Sequence, residues 1–140
     1  MDESAHGFVA IVITRGDARV WTAGVEPGAP PERVVAPSEE VRHHHILAAE
    51  HQPGHKTPAD EARYFESITA AVRDASEILL VGHGKGKSDE TLKLTQYWER
   101  KHPDLAARVV GTIHSFSEAL SEGEVLNLVR DWWREYREFI

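Results

Sequence analysis

The stretch Glu77-Ile-Leu-Leu-Val-Gly-His-Gly-Lys-Gly-Lys-Ser88 constrains this chain more than any other. Ile78 to Val81 are four apolar, partly β-branched residues, a length and composition that predict a buried strand. Gly82, Gly84 and Gly86 follow at alternate positions. Lacking a Cβ, they can take strained backbone angles and let another group approach the main chain. Ser88 opens a pattern of helical spacing, Leu92, Leu94, Tyr97 and Trp98, with Asp89 and Glu90 in its first turn. Strand, glycine turn and helix start are the parts from which an α/β domain builds a site at the carboxyl end of a strand. Amide groups at such a helix start favour an anion, and His83, Lys85 and Lys87 lie beside them.

Gly86-Lys87-Ser88 matches the ending of a nucleotide-binding P-loop. That motif also needs a glycine five residues before Gly86, and Val81 stands there. No later predicted strand ends in the aspartate that would help hold magnesium. Two readings of the turn remain open. In one the glycines only reverse the chain tightly, with His83 capping the turn; in the other Gly82 to Ser88 meets an anion or an RNA backbone.

The rest of the chain supplies elements on either side of this unit. Phe8 to Thr14 is an apolar run rich in Val and Ile, and Ala18 to Ala23 alternates Val20 and Thr22 against Arg19 and Trp21. The short turn Arg15-Gly16-Asp17 joins them as a hairpin. Gly24 to Pro31 is a loop, and Arg33 to Ala36 is a third strand stopped by Pro37. Thr57 caps a helix that starts at Pro58 and carries apolar residues at helical spacing as far as Ala75. Asp104 to Arg108 is a short turn after the break at His102-Pro103, and Val109 to Ile113 is a strand. Ser121 and Glu124 have the spacing of a capping box, and the helix behind them shows a broad apolar face of Val125, Leu128, Val129, Trp132, Trp133, Tyr136 and Ile140. The bland account of that last face is core packing; the other is a partner or homodimer contact through Trp133 and Phe139. The order, a hairpin and third strand followed by strands separated by helices, predicts an α/β fold with a mixed sheet covered by helices.

A length of 140 residues predicts a single domain, residues 1–140, with room for a real core. An apolar content of 41% with four Trp argues for a folded chain. There is no Cys, which excludes disulfides, thiolate catalysis and Cys-based zinc sites and fits a cytoplasmic location. Met1 to His6 has neither a basic region nor an apolar run, so no signal peptide is expected. No apolar stretch nears the ~20 residues of a membrane span. A net charge of −7 argues against broad, non-specific nucleic-acid binding, yet six Lys or Arg oppose four acids between Lys85 and Arg108. A local basic face on an acidic protein is therefore open.

Taken in order, several segments resemble the central, RNase H-like domain of archaeal and eukaryotic class I release factors and of Pelota. They also resemble the small bacterial proteins of that superfamily labelled translational machinery proteins. The residues that carry the resemblance are Ala18-Arg19-Val20-Trp21, His43-His44-His45, Gly54-His55 leading to Ala59-Asp60 and Tyr64-Phe65, Glu77 to Gly82, and Lys101 to Gly111. They span most of residues 8 to 130. The resemblance implies an RNase H-like mixed sheet and a factor that works with the ribosome or tRNA, in stalled-ribosome rescue or dormancy.

Two departures limit what it carries. Release factors of this class bear a Gly-Gly-Gln loop that promotes peptidyl-tRNA hydrolysis, whereas the matching stretch here is Gln52-Pro53-Gly54-His55-Lys56-Thr57. Peptide release is not implied. RNase H nucleases place a metal-binding carboxylate on the first strand, and Thr14 holds that place here. Metal-dependent nuclease chemistry is not implied either.

The remaining constellation is histidine. Of nine His, six fall between His43 and His83. On an extended chain His43 and His45 share a face, and with His51 and His55 from the following loop they could hold zinc, nickel or copper. The alternative is a solvated polar edge, or imidazoles that meet phosphate. With Lys56 and the glycine turn, His55 then belongs to an RNA- or anion-binding surface. Neither paired carboxylates nor a Ser-His-Asp order stands out, so a non-catalytic factor is expected. Two other classes stay open: a His-rich metal-binding or dimeric interaction protein, and a hydrolase acting on a phosphorylated small molecule or RNA end.

Overall fold

Phe8–Ile13 (β1) is buried at every position, because both faces of the sheet above and below it are covered. The computed structural model describes residues 7–14, 16–22, 24–35, 58–83, 89–115 and 121–138. In chain order these form β1, Asp17–Trp21 (β2), Glu32–Val35 (β3), Pro58–Ala71 (α1), Glu77–His83 (β4), Glu90–Lys101 (α2), Pro103–Ala106 (α3), Val109–Ser115 (β5) and Glu122–Glu138 (α4). The sheet order is β3-β2-β1-β4-β5. β1 pairs antiparallel with β2 (Val12 opposite Arg19) and parallel with β4 (Ile11 opposite Leu80). β2 and β3 are antiparallel, β4 and β5 parallel. The expected mixed sheet, antiparallel at its start and parallel later, is the observed one.

The period-two alternation of β1 divides the core. Val9, Ile11 and Ile13 pack with Tyr64, Phe65 and Ile68 of α1 and Leu94, Tyr97 and Trp98 of α2. Phe8, Ala10 and Val12 pack on the other face with Val125, Leu126 and Val129 of α4. On the first side the buried Trp98 indole donates to Thr69 Oγ1 at 2.9 Å, and that hydroxyl donates to Phe65 O at 2.7 Å. On the second, Phe8 lies against both Trp132 and Trp133, with ring centroids 6.3 and 4.4 Å away. Trp133 thus belongs to the packed face; Phe139 lies outside the described residues. A register shift at Ile78/Leu79 brings Gly111 opposite Leu79, where a Cβ would stand 2.5 Å from Trp132 Cζ2. Only glycine leaves room for that indole.

Several boundaries differ from the sequence expectation, each for a local reason. β1 stops at Ile13, because Thr14 closes the turn: its amide donates to Asp17 O at 2.8 Å and its Oγ1 accepts from the Gly16 and Asp17 amides. α1 ends at Ala71 rather than Ala75. Val72 and Ala75 still reach the core, but from a turn whose carbonyls, on Arg73 and Ala75, accept from Arg108 Nη1 at 3.2 and 3.0 Å. The expected capping box is present: Ser121 N donates to Glu124 Oε1 at 2.8 Å and Glu124 N to Ser121 Oγ at 3.1 Å. Among the described residues, no helix is long and apolar enough to cross a membrane.

Candidate functional site

Gly82 and His83 are the last residues of β4, where Gly82 stands opposite His114 of β5. This is the carboxyl end of the parallel half of the sheet, the place where open α/β sheets gather ligands. Gly82 has a packing duty as well. A Cβ there would lie 2.3 Å from Thr91 Cγ2, so the missing side chain lets the first turn of α2 sit directly on β4.

The helix begins two residues later than the Ser88 start that its sequence pattern suggests. Asp89 is the N-cap, and α2 starts at Glu90. Asp89 Oδ1 accepts from Thr91 N at 3.0 Å, Leu92 N at 3.3 Å and Thr91 Oγ1 at 2.5 Å. Asp89 Oδ2 lies 3.1 Å from His114 Nε2. Burial pulls the Asp89 pKa up, but the Thr91 hydroxyl, the Leu92 amide and His114 outweigh it and hold the carboxyl below its usual value. The Thr91 and Leu92 amides are thus occupied by Asp89. An anion at this turn would have to be met by other groups.

A second polar group lies where β1 ends. Tyr64, from α1, donates through its hydroxyl to Thr14 O at 2.8 Å. Burial, then the charges of Asp17 and Glu90, push the Tyr64 phenol well above its ordinary pKa, so it stays protonated as a donor. Glu90 is 3% exposed, and Lys93 Nζ lies 3.3 Å from its Oε2 and 4.0 Å from Glu61 Oε2. Thr14 is thus a turn-closing threonine, and Lys93 sits between the Glu61 and Glu90 carboxylates.

A third group ties α1 to the α2–α3 junction. Tyr97 donates its hydroxyl to Glu66 Oε2, and His102 Nε2 lies 2.7 Å from the same oxygen. The Tyr97 and His102 bonds, in that order, lower the Glu66 pKa, while burial and Glu66 push Tyr97 up to about 12.

Of the residues singled out from the sequence, Gly82 and His83 are in β4. Gly84, Lys85, Gly86, Lys87 and Ser88 lie outside the described residues, as do His43, His45, His51, His55 and Lys56. Asp89 and His114 are brought together although neither stood out as a site residue. Asp89 had a signal only as an acid at a helix start, where capping explains it. His114 had none, being a single imidazole in an apolar strand.

No protein-family model and no curated protein matches the chain. Two solved structures are similar to it. Archaeoglobus fulgidus Pelota shares 16% identity at a TM-score of 0.50, over 88% of this chain and 30% of that one. The Thermoplasma acidophilum Pelota protein shares 15% identity at a TM-score of 0.53, over 88% of this chain and 31% of that one. The chain therefore spans about a third of the length of those proteins. At such identities the likeness is one of backbone architecture, and the fold is Pelota-like.

Proposed function

We propose that this chain is a translation-related factor that contacts the ribosome or tRNA without catalysing peptide release. The observation that carries this reading is the Pelota-like fold across 88% of the chain. The short motifs that resemble the release-factor and Pelota central domain agree with it. The absence of a Gly-Gly-Gln triplet at Gln52 to Thr57 argues for binding rather than hydrolysis. Lys85 and Lys87 of the glycine turn, with His55 and Lys56, are the residues we assign to the RNA contact, and stalled-ribosome rescue or dormancy is the setting.

Pelleting of purified ribosomes with the purified full chain tests this. Binding at low salt that weakens steeply as salt is raised, and that Lys85→Glu with Lys87→Glu reduces along with its salt dependence, is the expected result. Binding that is equal for wild type and the double variant at low salt removes the lysines from the interface. No pelleting at any salt removes the ribosome.

A further inference from the structure

Asp89 divides its two carboxylate oxygens between two tasks. Oδ1 alone completes the cap of α2, accepting from two amides and the Thr91 hydroxyl. Oδ2 is left to the imidazole of His114, 3.1 Å away on β5. Capping therefore does not explain the histidine. An exposed His–carboxylate contact adds little to stability, and fixing the ring costs rotamer freedom. Yet Asp89 is 8% exposed and rigidly held, while the His114 side chain is 55% exposed.

The geometry decides which ring nitrogen does chemistry. An ionised aspartate only accepts, so Nε2 carries a hydrogen toward Oδ2 whether the ring is neutral or charged. Nδ1 is then the nitrogen that gains and loses the proton. In the cation it is a donor at the carboxyl end of β5. Opposite it in β4 stands Gly82, over which Thr91 packs, so the solvent-exposed part of the ring is its approach for a ligand. The charged group facing His114 from α2 is Asp89, and its charge is shared among four donors. Glu90 and Lys93, the next charges along α2, are engaged with each other.

We propose that His114, oriented by Asp89, is an RNA-phosphate contact: protonated Nδ1–H donates to a phosphodiester oxygen. This deepens the translation reading and rests on it, adding a residue to the surface assigned above. An imidazolium bound to a buried carboxylate is a preset donor, since its second nitrogen is fixed in direction before the ligand arrives.

Fluorescence anisotropy with labelled tRNA, at about pH 6 and about pH 8, either side of the imidazole range, tests it on the full chain. Wild type is expected to bind more tightly at the lower pH. His114→Gln, which keeps a donor for Asp89 but no charge, is expected to bind about tenfold more weakly at the lower pH, as the loss of one charge-assisted bond predicts, and to show a smaller pH dependence than wild type. His114→Lys restores a cation that does not titrate in this range, so it is expected to bind more tightly than His114→Gln at both pH values with the same reduced pH dependence. In parallel, the His114 ring resonances are followed on addition of tRNA and, separately, of inorganic phosphate. They are expected to move with tRNA. If tRNA binds while His114→Gln binds like wild type and the ring does not move, the proposal is overturned and the translation reading stands. If the ring responds to inorganic phosphate alone, the RNA assignment is overturned. If neither tRNA nor ribosomes bind, both fall.

Discussion

Gly82 and Thr91 are held so close that a Cβ on the glycine would lie 2.3 Å from the threonine Cγ2 methyl. Thr91 has little freedom to yield, because its hydroxyl is bonded to Asp89 and the residue is 2% exposed. Gly82→Ala is therefore expected to destabilise the chain by about 1–3 kcal/mol, the usual cost of overpacking. Thr91→Ser, which removes the methyl and keeps the hydroxyl, should restore most of that loss in the double variant. Urea unfolding of the three variants checks it. An unchanged Gly82→Ala midpoint would show that α2 does not sit on β4 as described.

Glu66 links acid stability to the junction of α2 and α3. Its hydrogen bonds from Tyr97 and then His102 depress its pKa from an ordinary 4.5. A depressed carboxylate contributes stability above its unfolded pKa, and that contribution is lost as pH falls through the folded value. Tyr97 acts at the other end: raised from 10.0 to about 12, it contributes below its unfolded pKa and the gain is lost as pH rises through the folded one. Glu66→Gln should flatten the fall in unfolding free energy below about pH 4.5 and reduce the alkaline loss. Denaturant titrations across both windows read this out, and profiles parallel to wild type would contradict it.

The sheet was legible because its strands carry unambiguous patterns. Phe8 to Ile13 and Ile78 to Val81 are apolar at every position, and only a strand covered on both faces accommodates that. Ser121 and Glu124 named a helix start by chemistry alone. The end of α1 was not legible, since Val72 and Ala75 keep the apolar spacing while the capping donor, Arg108, comes from far along the chain. The site was legible only as a place. Strand, glycines and helix start located the carboxyl end of β4, but the partner of Asp89 is a histidine 25 residues later on a neighbouring strand. Tertiary pairing of that kind leaves no mark in local spacing.

The histidine cluster makes a separate, chemical prediction. If His43, His45, His51 and His55 act as ligands, the purified chain exposed to zinc, nickel or copper should retain about one equivalent after desalting, since imidazole suits all three metals. His43→Ala with His45→Ala should release it. Elemental analysis decides, and a wild-type chain that keeps no metal under those conditions removes the cluster as a site.

The most direct test of a translation role is sedimentation of cell lysate from growing and from starved cells through sucrose gradients, probed for this protein. The account predicts co-migration with ribosomes or their subunits, lost in high salt and weakened by Lys85→Glu with Lys87→Glu. A protein found only at the top of both gradients would contradict it and leave the Pelota likeness as a shared fold alone.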